Sequence, residues 1–141
     1  MAQKQIAARL LGDDYQARFF WYQASQLLFA DTVVTRVKLE DGDAPYVDDV
    51  TVTYRAPGRR DEARDCAADF FQVKFHVDQT QAYSADGLAD PALIGSAAKS
   101  LLQRFFHAFT GLRDTHPWFS LGLVSNWAWA GDDDLAKAIR H

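Results

Sequence analysis

The sequence predicts an α/β domain, and three observations carry that expectation. Hydrophobic periodicity changes along the chain in the order helix, strand, strand, strand, helix, strand, the alternation of α/β architectures. The chain has 141 residues, 48% hydrophobic and 24% charged, a globular composition long enough to bury a core. Within Phe70–Val77, Gln72, Lys74 and His76 alternate with Val73, Phe75 and Val77. In a strand the polar set shares one face and the apolar set points into a core.

The elements follow in order. Gly12-Asp13-Asp14-Tyr15 has the chemistry of a helix start, with acids at the positive end of the dipole. Ala17, Phe20, Trp21, Ala24, Leu27 and Leu28 recur at helical spacing, so a first helix is expected over about residues 13–29. Residues 31–40 alternate as a strand closing at Glu40, with Val33, Thr35, Val37 and Leu39 on one side. Asp41-Gly42-Asp43 and Pro45 turn the chain into a second strand over about 49–54, opened by Asp48-Asp49. Residues 55–67 form a polar hairpin connection to the third strand, and 78–90 a second loop. Asp90-Pro91 predicts a helix start. Its expected stripe is Ile94, Ala97, Ala98, Leu101, Phe105, Ala108, Phe109 and Leu112, with Lys99, Arg104 and Arg113 off it. A fourth strand is expected over about 118–124, then a short capped helix over 132–141.

Composition narrows the function classes. Lys and Arg total 15 against 19 Asp and Glu, a net charge of −4, which disfavours a general polyanion-binding surface without forbidding a local basic patch. The single cysteine, Cys66, excludes an internal disulfide and fits a reducing cytoplasm. No apolar run approaches a membrane span, and the first residues lack a secretory signal pattern. The expectation is a cytoplasmic chain without a membrane partner.

An acid opening one strand and Gln-x-Lys on the next suit metal-dependent phosphodiester hydrolysis, which uses a hard divalent cation held by oxygen ligands. Asp49 offers a fixed carboxylate, Gln72 a neutral carbonyl oxygen, and Val73 its backbone carbonyl. Lys74, on the face of Gln72, would orient water or stabilise developing charge. Glu40, closing the neighbouring strand, is a further ligand or water-activating candidate. Arg55, Arg59, Arg60 and Arg64 are candidate phosphate contacts, although Asp61, Glu62 and Asp65 among them equally describe a solvated loop.

Glu40, Asp48-Asp49-Val50 and Gln72-Val73-Lys74 resemble the PD-(D/E)XK nuclease superfamily, in the Mrr-like branch where Gln replaces an acid of the last motif. Gly12-Asp-Asp-Tyr-Gln16 and the helix after it are similar to the nuclease domains heading bacterial anti-phage effectors. Those include CD-NTase-associated endonucleases with a SAVED sensor domain, and Lamassu-type effectors. The resemblance covers about residues 10–130. It implies a restriction-endonuclease-like mixed central sheet flanked by helices. It also implies Mg²⁺- (or Mn²⁺-) dependent cleavage of double-stranded DNA, activated by oligomerisation or by a sensor domain or subunit. Carried over by residue, Asp49 and Gln72 are ligands and Lys74 the catalytic lysine, with Glu40 and Gln16 auxiliary. The first motif has Asp48 where the family has Pro, leaving open which aspartate binds metal. Residues 1–141 are then expected to be one nuclease-like domain, the N-terminal part of a longer protein and a homo-oligomer when active.

Duller chemistry accounts for each feature taken singly. Asp48-Asp49 alone is turn chemistry, and Lys74 alone is an edge-strand lysine. A catalytically silent nuclease-like module for assembly or DNA binding is the competing function, and RNA the competing substrate. His76 is expected to be structural, and Cys66 lacks a neighbouring base. Trp127 and Trp129 are expected at an interface.

Overall fold

The computed structural model describes residues 1–60 and 65–139, with Arg60 described by its backbone alone. Asp61, Glu62, Arg64 and His141 lie outside the described residues. In chain order the elements are α1 (Ala2–Ser25), β1 (Val34–Leu39), β2 (Val50–Tyr54), β3 (Arg59–Arg60), β4 (Asp65–Cys66), β5 (Ala68–Lys74), α2 (Ala85–Ala89), α3 (Leu101–Leu112), β6 (Phe119–Ser125) and α4 (Asp134–Ile139). Strands β1-β2-β5-β6 form one mixed sheet, antiparallel as far as β5 and parallel between β5 and β6. Strands β3 and β4 pair as a two-residue hairpin, the connection expected there.

Alternation along β5 divides the core between the two faces of the sheet. Val73 joins Val34, Val50 and Val52 beneath Tyr15, Phe19 and Phe20 of α1. On the other face Phe70 joins Ala68, Ala44 and Val47 beneath Ala108 and Leu112 of α3. The result is an α/β sandwich of a central mixed sheet between helices. Gly122 on β6 lies opposite Phe71, whose ring a Cβ there would meet at 2.6 Å.

Several expected boundaries move, each for a local reason. Helix α1 starts eleven residues before Asp13, because Ala2–Leu11 is rich in strong helix formers and Gly12 is tolerated within it. Its buried side is also rotated from the expected stripe. Tyr15, Phe19, Phe20 and Gln23 face the sheet, whereas Trp21 is 69% and Leu28 87% exposed. In β1 a register shift between Val34 and Arg36 breaks the alternation, so Val34 and Val37 share the α1 face. The helix expected from Asp90 is only a 3-10 turn, Pro91–Ile94, closed by Gly95 at φ 64°. Helix α3 starts afresh at Ser100, whose hydroxyl accepts from Gln103 N–H while Gln103 returns a bond to the Ser100 N–H. Strand β5 ends at Lys74, so Val77 is 59% exposed rather than in a core. The short α2 forms within the expected 78–90 loop, capped by the Ser84 side chain.

One buried acid ties the hairpin to the sheet. Asp69 is 4% exposed and accepts from Arg59 through two nitrogens, from Tyr54 Oη, and from the Ser120 hydroxyl. Burial alone would raise its pKa, but the bonds from Arg59, Ser120, Tyr54 and Cys66 outweigh it and hold the carboxyl below the usual range. A depressed folded-state value contributes stability that is complete above the unfolded pKa and lost as pH falls through the folded one. Asp69→Asn is therefore expected to cost about 3 kcal/mol at pH 7 by removing the buried charge that Arg59, Tyr54 and Ser120 donate to. The difference from wild type should shrink below about pH 4. Urea denaturation at neutral and acid pH measures both, and equal neutral midpoints would remove Asp69 from this role.

Candidate functional site

The residues that converge do so at the C-terminal end of β5. Register pairs Val50 with Phe71 and Leu39 with Val50, which puts Glu40, Asp49 and Gln72 in one row across three strands. The Glu40 N–H bonds the Asp49 carbonyl at 3.1 Å, continuing that row beyond the strand ends. Asp49 Oδ2 accepts from the Val73 N–H at 2.6 Å and from the Gln72 side-chain amide. Asp49 thus does for β5 what a ladder carbonyl would otherwise do. Gln72 is 7% exposed and Lys74 half-buried, both on the α3 side of the sheet with Phe70. Asp48 contributes its backbone carbonyl to the Asp41 N–H at 2.7 Å. Glu40 is exposed, in a left-handed conformation at φ 52°.

The electrostatics of this end follow from burial. Desolvation pushes the Asp49 carboxyl above the ordinary range, aided by the charges of Asp48 and Glu40 and opposed by the Val73 N–H and Lys74. Desolvation also pulls the Lys74 ammonium down, aided by Arg104, while Asp49 and Asp48 oppose it. Both shifts have burial as their first cause, so at this end the charged form of each group is disfavoured.

The arginines expected beside this site lie elsewhere. Arg55 follows Tyr54, at the end of β2 roughly 20 Å of strand away from Asp49. It is exposed and donates to the Thr32 carbonyl. Arg59 is engaged with Asp69, and the Arg60 backbone pairs with Asp65 in the hairpin. Gln16 sits on α1, against the opposite sheet face from Gln72 and Lys74.

Two cations on the α3 side come close instead. Lys99 Nζ donates to Tyr46 Oη at 3.4 Å and lies 5.4 Å from that ring, and the Arg104 guanidinium lies 5.6 Å from it. Arg104 was expected off the apolar stripe, yet it stands one turn before buried Ala108, is half-buried, and has its Nε shielded without a hydrogen-bond partner. The only signal in the sequence was a pair of cations flanking the capping-box residues Ser100 and Gln103.

Past β5, His76 stacks on Trp127 at 3.5 Å between ring centroids and bonds Tyr83 Oη at 2.8 Å; Tyr83 Oη in turn donates to Ser125. The expected interface pair Trp127 and Trp129 therefore packs within the chain, on His76 and Tyr83. Cys66 is buried with its thiol on the Ala68 carbonyl and Asp69, and burial pushes that thiol up. This is not the setting of a nucleophile.

The donor set at Asp49 is one half-buried carboxylate with an amide, plus a charged neighbour in Glu40. It fits a magnesium-type ion that keeps most of its ligands as water and substrate oxygens. Among the described residues, no group of three or more His, Cys, Asp or Glu is placed to hold a metal. Nor is any described helix long and apolar enough to cross a membrane.

Fold and site together define a class: an α/β domain whose mixed sheet, flanked by helices, presents an acid, an amide and a lysine at one end. No family model matches the chain. It is similar to CD-NTase-associated protein 4 of Enterobacter hormaechei subsp. hoffmannii (strain UCI 50), with 38% identity over 104 residues. Those residues are 73% of this chain and 21% of the relative, so the chain spans about a fifth of that protein's length.

The raised Asp49 pKa has a consequence for stability. A carboxyl with a raised folded-state value favours folding below its unfolded pKa, and that contribution is lost as pH rises through the folded value. Asp49→Asn is accordingly expected to be at least as stable as wild type at pH 7, unlike Asp69→Asn. It should also move the Lys74 titration further down by removing an attracting charge. Chemical denaturation and NMR titration of the lysine side-chain signals check the two effects, and an upward shift of Lys74 would contradict the arrangement.

Proposed function

We propose that the chain is a nuclease-like domain, of restriction-endonuclease type, belonging to a CD-NTase-associated anti-phage defence protein. In this reading it engages double-stranded DNA at the Asp49–Gln72–Lys74 end of the sheet. The observation that carries it is the pairing of Asp49 with the Gln72 amide and the Val73 N–H, beside a half-buried Lys74. The similarity to CD-NTase-associated protein 4 supports the defence setting. A sensor domain or partner subunit and homo-oligomerisation on activation belong to the same proposal.

In the catalytic form, Asp49, the Gln72 carbonyl oxygen, the Val73 carbonyl and Glu40 would hold Mg²⁺ or Mn²⁺. When bound, such an ion supplies charge neutralisation at phosphate and a water of lowered pKa. Lys74, with its proton affinity already lowered by burial, positions the attacking water and meets charge developing on the phosphate. Gln72 orients the Asp49 carboxylate.

The second form is a catalytically silent module for DNA binding or assembly, and the donor set backs it more directly. Only Asp49 of the acids is fixed by neighbouring groups at this end, Glu40 is exposed, and the described residues hold no larger acidic or histidine cluster. The two forms separate by experiment. With Mg²⁺, the activated protein containing this chain is expected to cut plasmid DNA in the catalytic form. Lys74→Ala should then lower the rate by about a hundredfold or more, the scale of losing one transition-state charge contact. Calorimetric titration with Mg²⁺ or Mn²⁺ should show binding that Asp49→Ala abolishes. Cleavage unchanged by Lys74→Ala would refute the site, whereas absence of both metal binding and cleavage selects the silent module.

A further inference from the structure

We infer that Arg104 of α3 and Lys99, just before that helix, gathered around Tyr46, form a cradle for a nucleic-acid phosphodiester. The identity of the ligand rests on the reading just proposed; the existence of an anion site rests on the cluster itself.

An arginine half-buried on a helix normally has a carboxylate partner, because taking its charge partly out of water without one is unfavourable. Arg104 has no ion pair among the described residues, and its Nε is buried without a hydrogen-bond partner. Lys99 and Lys74 likewise form no ion pair with a described residue, although other lysines and arginines of the chain do. Of the acids near Tyr46 in sequence, Asp41 holds Lys38 at 2.6 Å and Asp49 holds the Gln72 and Val73 donors, while neither Asp43 nor Asp48 forms an ion pair with Lys99 or Arg104.

Tyr46 is the hub on which the two cations meet, and it does not neutralise them. Its ring lies 5.4 Å from Lys99 Nζ and 5.6 Å from the Arg104 guanidinium, a geometry that organises cations without supplying a full negative charge. Tyr46 also holds φ 73°, unusual for a bulky residue, so the loop carries backbone strain that brings the ring beneath α3. Lys99 and Arg104 therefore act on a common volume beside the Tyr46 ring.

A ligand that satisfies Lys99 and Arg104 together carries two negative charges at a spacing of several ångströms. Successive phosphates of a nucleic-acid backbone meet that requirement, and Arg recognises their oxygens through its planar fork. The acidic whole chain is no obstacle, since contacts of this kind depend on local potential.

The test is fluorescence anisotropy of the full 141-residue chain with a labelled 20-base-pair duplex and with a single-stranded RNA of the same length. Ca²⁺ replaces Mg²⁺ so that binding is read without cleavage. Lys99→Gln/Arg104→Gln should bind about tenfold more weakly, and the slope of log affinity against log salt should fall by about 1.8, two phosphate contacts at ~0.9 each. Lys99→Arg/Arg104→Lys should keep both affinity and slope, and Arg18→Gln, on α1, should change neither. If circular dichroism finds the double variant unfolded, Lys99→Gln alone must still lower the slope by about 0.9. Loss confined to the duplex assigns the cradle to DNA, and loss confined to the single strand assigns it to RNA. Unchanged affinity and slope on both, or no binding by wild type at low salt, overturns the cradle. Plasmid cleavage by wild type alongside an unchanged slope in the double variant would sink the cradle and leave the nuclease reading standing. Cradle-dependent binding without cleavage would do the reverse.

Discussion

The parallel pairing of β5 with β6 is the constraint on which the rest of this fold depends. Two antiparallel strands can be joined by a tight turn, as β1 and β2 nearly are, but a parallel neighbour requires the chain to travel back along the sheet. Residues 75–118 make that journey, and they must cover a sheet face on the way. Helix α3 does so with Leu101, Ala108 and Leu112, closing the face that α1 does not reach. A crossover of this kind leaves a recess beyond the carboxyl ends of the parallel strands, where ligands of open α/β sheets tend to bind. Gln72 and Lys74 end β5 on the α3 side of the sheet.

Two aspartates show how the same side chain is put to opposite uses within this frame. Asp69, at the start of β5, is surrounded by donors, and its charge is stabilised by more than burial takes away. Asp49, opposite the end of β5, is half-buried with fewer donors and two acidic neighbours, so its charge is costly. The first is a fastening, holding the β3–β4 hairpin and Ser120 of β6 to the centre of the sheet. The second keeps a carboxylate under electrostatic stress beside a lysine under the converse stress. Proteins tolerate such stress where stability is given up for a site.

What could be read from the sequence divides along the same line. The strands and the convergence of Asp49 with Gln72 were legible, because the period of two fixes the face of each side chain once a strand exists. Glu40 reached the same row for that reason, although its exposure was not foreseeable. Legibility ended where a single residue outweighs periodicity. The shift between Val34 and Arg36 reversed half of β1, and Gly95 with the Ser100–Gln103 capping box moved a helix start by ten residues. The partners of charged side chains were least legible of all. Arg59 looked like a phosphate contact because Asp69, ten residues away, gives no local hint that it will be its anion. Arg104 looked like a solvent-facing charge because nothing near it in sequence reveals that the sheet lies beneath it.

The exchange of Arg59 for Arg104 also resolves the tension between an acidic chain and a phosphodiester ligand. At physiological salt, charges act over roughly 8 Å, so a net charge of −4 spread over the surface says little about one recess. What matters is how the acids near that recess are occupied. Asp41 is held by Lys38, and Asp49 by backbone and amide donors, leaving Lys74, Lys99 and Arg104 without carboxylate partners among the described residues. The same arrangement suits a domain that binds nucleic acid whether or not it cuts it. Binding requires only the uncommitted cations, whereas cutting also asks Asp49 and Gln72 to supply oxygens to an ion.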